Sequence, residues 1–256
     1  MDSNNNNVYR KAIENTSNVG NFTLLTNKYC LVGKGASADN LYEFYVEKLS
    51  NVMPVLQCSL GGGLNAIGTL GCGNSNGLVV PYSTTDQELQ YLRNMLPDEI
   101  NVQRVEDKYT CLGNCLCVND HYGIAHPQLD NETVEIIEDV LGISLYKTTV
   151  ANEALVGTFA IITNKGGLVH RSCSNRKLEE LASLLCVPLH KGTVAFGTTS
   201  VRCALAVNDF FACAGFETTA PELAVIIKAF GLESELDADQ DELRNAIIEK
   251  LMEYDG

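Results

Sequence analysis

The chain has no tryptophan, only 6 prolines in 256 residues, and few cations. Its 18 Lys and Arg stand against 32 Asp and Glu, for a formal charge of −14. So few cations exclude the wide phosphate contact on which nucleic-acid binding depends, whereas an acidic surface suits basic protein partners. No apolar run reaches transmembrane length, so no membrane partner is expected. The opening Met1-Asp2-Ser3 and Asn4 to Asn7 lack the basic and apolar segments of a secretion signal and read as a short disordered lead-in. Local signatures of common chemistries are missing too: no G-x-x-x-x-G-K-[ST], no H-E-x-x-H, no G-x-S-x-G and no C-x-x-C. Gly71, Gly73 and Gly77 have the wrong last spacing for a dinucleotide cradle, and Gly61-Gly62-Gly63 reads as a flexible connector between strands. No cofactor is expected.

Ten cysteines in a chain without a secretion signal read as buried thiols of a reducing compartment. One group, Cys111, Cys115, Cys117 and His121, has metal-type residues close in sequence and of one parity. On a strand rising ~3.3 Å per residue its ends stand too far apart for one tetrahedral sphere. No metal is expected there.

What the chain does have is repetition. Asn27, Asn74, Asn119, Asn164 and Asn208 each follow a short apolar run, at spacings of 47, 45, 45 and 44 residues. After each comes an apolar triplet spaced three and then four: Tyr42/Tyr45/Leu49, Leu89/Leu92/Leu96, Val134/Ile137/Leu141, Leu178/Leu181/Leu185 and Leu223/Ile226/Phe230. A fixed period of this size means one supersecondary unit repeated, because a lone unit cannot bury its own hydrophobic face. Asn and Gly tolerate positive φ, so Asn74-Ser75-Asn76-Gly77 and Asn164-Lys165-Gly166-Gly167 read as hairpin turns between two strands. The asparagines are therefore turn devices. The triplets lie on one helical face, and Thr85 to Glu88 and Thr219 to Glu222 fit the capping box that starts such a helix. A third strand follows each helix, as at Val55-Leu56, Ile100 to Val102, Ile143 to Leu145 and Val187 to Leu189. Each unit is thus hairpin, helix, strand.

The fifth copy lacks its last strand, and Val8-Tyr9-Arg10-Lys11 resembles the missing piece. The expectation is an α/β fold: a closed, pseudosymmetric five-unit propeller over residues 8–232, with the N-terminal strand completing the fifth unit and burying the edges. Such a ring needs no partner to be stable, so a monomer is expected. Beyond it, residues 233–256 hold nine carboxylates against Arg244 and Lys250. With the stripe Leu243, Ile247, Leu251 and Tyr254, they read as an acidic, helical tail.

Five-unit α/β rings include guanidine-modifying hydrolases and transferases that use a Cys nucleophile in the central channel. Cys203 or Cys213 with His126 or His170 is the corresponding alternative here, though no local motif singles one out, and fold analogy is a weak warrant for function.

A longer set of motifs carries a resemblance. Thr84 to Gln90, Arg104-Val105-Glu106, Leu112-Gly113-Asn114, Asn119-Asp120, Asn164 to His170, Val207-Asn208-Asp209, Thr218-Thr219 and Glu222-Leu223 resemble the translation initiation factor six family of eukaryotes. The archaeal counterpart is similar, and the likeness runs from Tyr9 to Leu232. It implies the pentein fold and no enzymatic activity. It implies binding to the intersubunit face of the large ribosomal subunit, beside the sarcin–ricin loop, mainly against ribosomal proteins and with limited rRNA contact. There the disc blocks small-subunit joining. It further implies a part in large-subunit biogenesis and export, eviction by a GTPase and an adaptor protein, and residence in cytoplasm and nucleus, including the nucleolus. Counting six or seven back from the marker asparagines reaches Gly20, Gly68, Gly113, Gly157 and Val201, on loops leading into the hairpins. This rim resembles the family's docking face, so Gly20, Arg104, Gly113, Asn114, Gly157 and Phe159 are the expected ribosome contacts. Thr69 stands where family members often carry a basic residue.

Overall fold

A computed structural model of the chain describes residues 7–13 and 15–232. The lead-in and the acidic helix expected at 233–256 lie outside the described residues. The first described element is strand β1 (Val8–Lys11). The first unit follows as α1 (Val19–Phe22), β2 (Thr23–Leu25), β3 (Cys30–Gly33), α2 (Ala36–Leu49) and β4 (Val55–Cys58). The second is α3 (Ile67–Leu70), β5 (Cys72–Gly73), β6 (Gly77–Pro81), α4 (Asp86–Met95) and β7 (Asn101–Val105). The third is α5 (Leu112–Cys115), β8 (Leu116–Val118), β9 (Tyr122–Ala125), α6 (Asn131–Leu141) and β10 (Ser144–Lys147). The fourth is α7 (Val156–Phe159), β11 (Ala160–Ile162), β12 (Gly167–His170), α8 (Asn175–Leu185) and β13 (Leu189–Gly192). The fifth has β14 (Leu205–Val207), β15 (Ala212–Gly215) and α9 (Ala220–Phe230).

Each unit forms a three-stranded sheet in which the hairpin is antiparallel and the third strand pairs parallel to the second. In the fifth sheet the third place is taken by β1, with Tyr9 opposite Cys213 and Arg10 opposite Ala214. The N-terminal strand therefore does complete the last unit. The capping box at Thr85 forms in full, Thr85 Oγ1 accepting from Glu88 N and Glu88 reaching back to Thr85 N; at Thr219 the glutamate reaches back, Glu222 accepting from Thr219 N and Thr219 Oγ1.

The buried side chains fall into five clusters, each shared between two neighbouring units. Leu24, Tyr29 and Leu31 of the first unit pack with Leu78, Leu89 and Leu92 of the second. Corresponding clusters join second to third, third to fourth and fourth to fifth. The last joins Phe211 and Cys213 of the fifth unit to Leu41, Tyr45 and Leu49 of the first. The triplet residues supply the helical side of every cluster, as a 3.6-residue periodicity demands.

One correction concerns the repeat register. In three hairpins the marker asparagine turns the chain itself: Asn74, Asn119 and Asn208 each accept backbone N–H bonds two and three residues on, at 2.7–3.1 Å. In the first and fourth units the residue before the asparagine does this, Thr26 accepting from Lys28 and Tyr29, and Thr163 from Lys165. Structural equivalents are therefore Thr26, Asn74, Asn119, Thr163 and Asn208. Asn27 and Asn164 match Ser75, Asp120 and Asp209, one step later.

Candidate binding face

The strand directions sort the molecule into two ends. Hairpin turns and helix C-termini lie at one; the four-residue helices, helix N-termini and inter-unit loops lie at the other.

At the turn end, hydrogen bonds tie the units around a common centre. Asn74 Nδ2 donates to Asn119 O at 3.1 Å, Asn119 Nδ2 to Thr163 O at 3.3 Å, and Asn208 Nδ2 to Thr26 O at 2.8 Å. Asn164 N donates to Asp209 Oδ1 at 2.9 Å, and Tyr29 Oη to Gly77 O at 2.8 Å. Asn27 and Asn164 each bridge the carboxylates of Asp120 and Asp209 at 2.7–3.1 Å. Burial alone would raise the pKa of Asp120. Bonds from Asn164, Ser75 and Asn27 outweigh it and leave the carboxyl below its ordinary range. The marker asparagines thus do more than turn the chain: they staple one unit to another.

At the opposite end, the segments expected as rim loops are single helical turns. With the corrected register, the fifth equivalent of Gly20, Gly68, Gly113 and Gly157 is Arg202, not Val201. A side chain at these glycines has no room. A Cβ on Gly20 would lie 1.9 Å from Arg202 O, on Gly68 2.0 Å from Gly20 O, on Gly113 2.1 Å from Gly68 O, and on Gly157 2.1 Å from Gly113 O. Each turn stacks on its predecessor's backbone. Arg202 sends its side chain elsewhere: Nε donates to Gly68 O at 3.2 Å, from the fifth unit to the second. It lines a cavity of about 40 Å³ with Gly20, Leu25, Cys72, Val118, Ile162 and Val207.

Of the six expected contacts, Gly20, Gly113 and Gly157 are buried, and the stacking accounts for their being glycine. Asn114 and Phe159 are half-buried on the same turns, with Phe159 edge-on to His170 at 5.4 Å. Arg104 is also half-buried, but its guanidinium is committed within its own unit, to Thr84 O at 3.1 Å and Asp86 at 2.8 Å. The device recurs at the equivalent strand positions. Arg10 reaches Thr218 O, Gln57 reaches Asp39, Lys147 reaches Leu129 O and Asn131, and Lys191 reaches Asn175. Each ties the third strand to the entrance of its unit's helix. The expected contacts thus share one end of the molecule without converging on a pocket.

Among the described residues the cysteines and histidines of the alternative chemistry are engaged separately. Burial pushes the Cys213 thiol up to about 12, and Cys203 is also raised, by burial first. His126 Nδ1 instead accepts from Gln128 N at 3.1 Å, its ring 4.2 Å from Tyr109, and His170 Nδ1 accepts from Ser172 N at 3.0 Å. Among the described residues neither histidine is hydrogen-bonded to a cysteine. Cys111 to Cys117 is not one strand either. Cys111 precedes the turn α5 and Cys115 ends it, Cys117 lies on β8, and Cys115 and Cys117 belong to different cores. No group of three or more metal-type residues among the described residues is placed to hold an ion. No described helix is long and apolar enough to cross a membrane.

The family model of the eIF-6 family matches residues 8–229. This chain belongs to that family. It is 46% identical to eukaryotic translation initiation factor 6-2 of Arabidopsis thaliana over 94% of this chain and 98% of the relative. Eukaryotic translation initiation factor 6 of Saccharomyces cerevisiae is 44% identical, and that of Trypanosoma cruzi 43%, each over 94% of this chain and 98% of the relative. Among solved structures, a mutant of AgrE in complex with L-arginine superposes with a TM-score of 0.50 at 13% identity, over 73% of this chain and 30% of that one. At that identity the likeness speaks for the pentein fold alone.

Proposed function

We propose that this eIF-6 family chain is a non-enzymatic translation factor that binds the intersubunit face of the large ribosomal subunit and sterically keeps the small subunit away. Its contacts there are mainly basic ribosomal proteins near the sarcin–ricin loop, with limited rRNA contact. It accompanies the large subunit through biogenesis and export, moves between nucleolus, nucleus and cytoplasm, and leaves through the action of a GTPase and an adaptor protein. The observation that carries this reading is the family match across nearly all of the described residues. Two physical features support it. The core shared by the fifth and first units favours a ring closed on itself, stiff enough to lose little conformational entropy on docking as a monomer. A net charge of −14 favours basic proteins over phosphates. The docking face is the end bearing Asn114, Phe159 and Arg104, with Gly20, Gly113 and Gly157 shaping its backbone.

Purified protein should co-sediment with isolated large subunits and lower the yield of joined ribosomes when small subunits are added. Failure to co-sediment at low salt would overturn the reading.

A further inference from the structure

Two inter-unit loops at the docking end are built on one plan. Leu60 and Leu64 bridge across Gly61-Gly62-Gly63, and Val194 and Thr198 bridge across Ala195-Phe196-Gly197. In the first, φ is 64°, 86° and 100°; in the second, 45°, 60° and 95°. The capping-box glutamate of the following helix holds each tip. Glu88 accepts from Gly62 N and Gly63 N at 3.0 and 2.8 Å, and Glu222 from Phe196 N and Gly197 N at 3.2 and 2.8 Å. The two loops thus share geometry and anchoring but differ in composition.

Left-handed φ is free of penalty for glycine and costs other residues roughly 1–2 kcal/mol each. One loop meets this demand with three glycines. The other places an alanine and a phenylalanine there, and the aromatic ring gains no burial: Phe196 is 81% exposed. Strain kept without an internal return points outward. The tip is also rigid, its backbone tied on both sides and by Ala195 N to Thr218 Oγ1 at 3.2 Å. An aromatic ring carried on a fixed backbone has only its own two side-chain torsions to lose when a partner covers it.

We propose that Phe196, on a loop tied to Thr218 two residues after exposed Phe216, is a preorganised aromatic anchor that inserts into an apolar pocket of a basic protein on the large subunit. Charge selects protein over RNA. Glu217 is exposed on the same segment as Phe216, and Glu222 sits under the tip, where bonds from Thr219 N, Thr193 and Gly197 N outweigh burial and lower its pKa. The two cations on the neighbouring strand are engaged elsewhere, Arg10 with Thr218 O and Lys11, opposite Gly215, over the Phe44 ring at 4.5 Å. Carboxylates around a ring repel phosphates and attract Lys and Arg.

This inference rests on the ribosomal reading above, and the test separates the two. Wild-type protein and Phe196→Gly are compared for Tm and for affinity to purified large subunits by co-sedimentation. Phe196→Gly relieves the strain, so its Tm should hold or rise while affinity falls about tenfold or more. If wild type binds and Phe196→Gly binds equally well, the anchor is wrong and the ribosomal reading stands; if wild type itself does not bind, the ribosomal reading fails. A photo-crosslinking phenylalanine analogue at position 196 adds the second arm. Crosslinks to a ribosomal protein support the anchor, and crosslinks chiefly to rRNA overturn it.

Discussion

Gly113 and Gly63 show at the scale of one residue why a glycine count says little until its surroundings are known. Gly113 has an ordinary backbone conformation, but a Cβ there would meet Gly68 O at 2.1 Å and Gly71 O at 2.8 Å. Gly63 has nothing within 4 Å and a φ of +100°. Gly113→Ala should therefore destabilise by about 3 kcal/mol through overpacking, against about 1 kcal/mol for Gly63→Ala, with urea unfolding as the measurement. The thiols make a second residue-level case. Burial raises Cys58, Cys115, Cys117 and Cys213 to about 12 and Cys72 to about 11, while Cys186 is exposed. Iodoacetamide on the native protein at neutral pH should label Cys186 well before the other nine. Faster labelling of Cys203 or Cys213 would revive the nucleophile alternative. Sequence showed ten cysteines without saying which are shielded, because shielding comes from residues far along the chain.

Among the elements, α4 and the loop it holds form one electrostatic unit. Burial would raise the pKa of Glu88, but the N–H groups of Thr85, Gly62 and Gly63 outweigh it and bring the carboxyl down to about 2. An unfolded glutamate titrates near about 4.3. A depressed folded pKa contributes stability above that value and loses it as pH falls through about 2. Glu88→Gln should accordingly be less stable than wild type at pH 7, with the gap closing in acid; a gap unchanged down to pH 2 would contradict the linkage. The capping box at Thr85 and Glu88 was legible in sequence because its partners are local. The second task of Glu88, holding Gly62 and Gly63, was not, and the supposed flexible connector proves to be a tied loop.

For the whole molecule, the join between fifth and first units matters most. Strand β1 fills the third place of the fifth sheet, and Tyr9 stacks on Phe211 at 5.3 Å and meets Phe44 edge-on at 5.5 Å. Removing residues 1–11 should leave one edge of β15 unpaired, its other edge still held by β14, and open the core between the two units. The thermal transition should broaden and the protein self-associate through the bared edge, as calorimetry and size-exclusion chromatography would report. A truncated chain that melts as sharply as the full one would mean the join adds little.

Sequence alone determined the unit, its five-fold repetition, the helical stripes and the N-terminal strand's place in the last sheet. All four follow from periodicity and hydrophobic pattern, which are written locally along the chain. Tertiary structure alone decided the register of the units, the substitution of Arg202 for a fifth glycine, the bridging of Asp120 and Asp209 by Asn27 and Asn164, and the commitment of Arg104 to its own unit. The first three depend on groups that meet across ~45 residues or more of chain and the last on groups 20 residues apart, and a single residue of offset, invisible in a spacing count, moves each unit's contacts to a new neighbour.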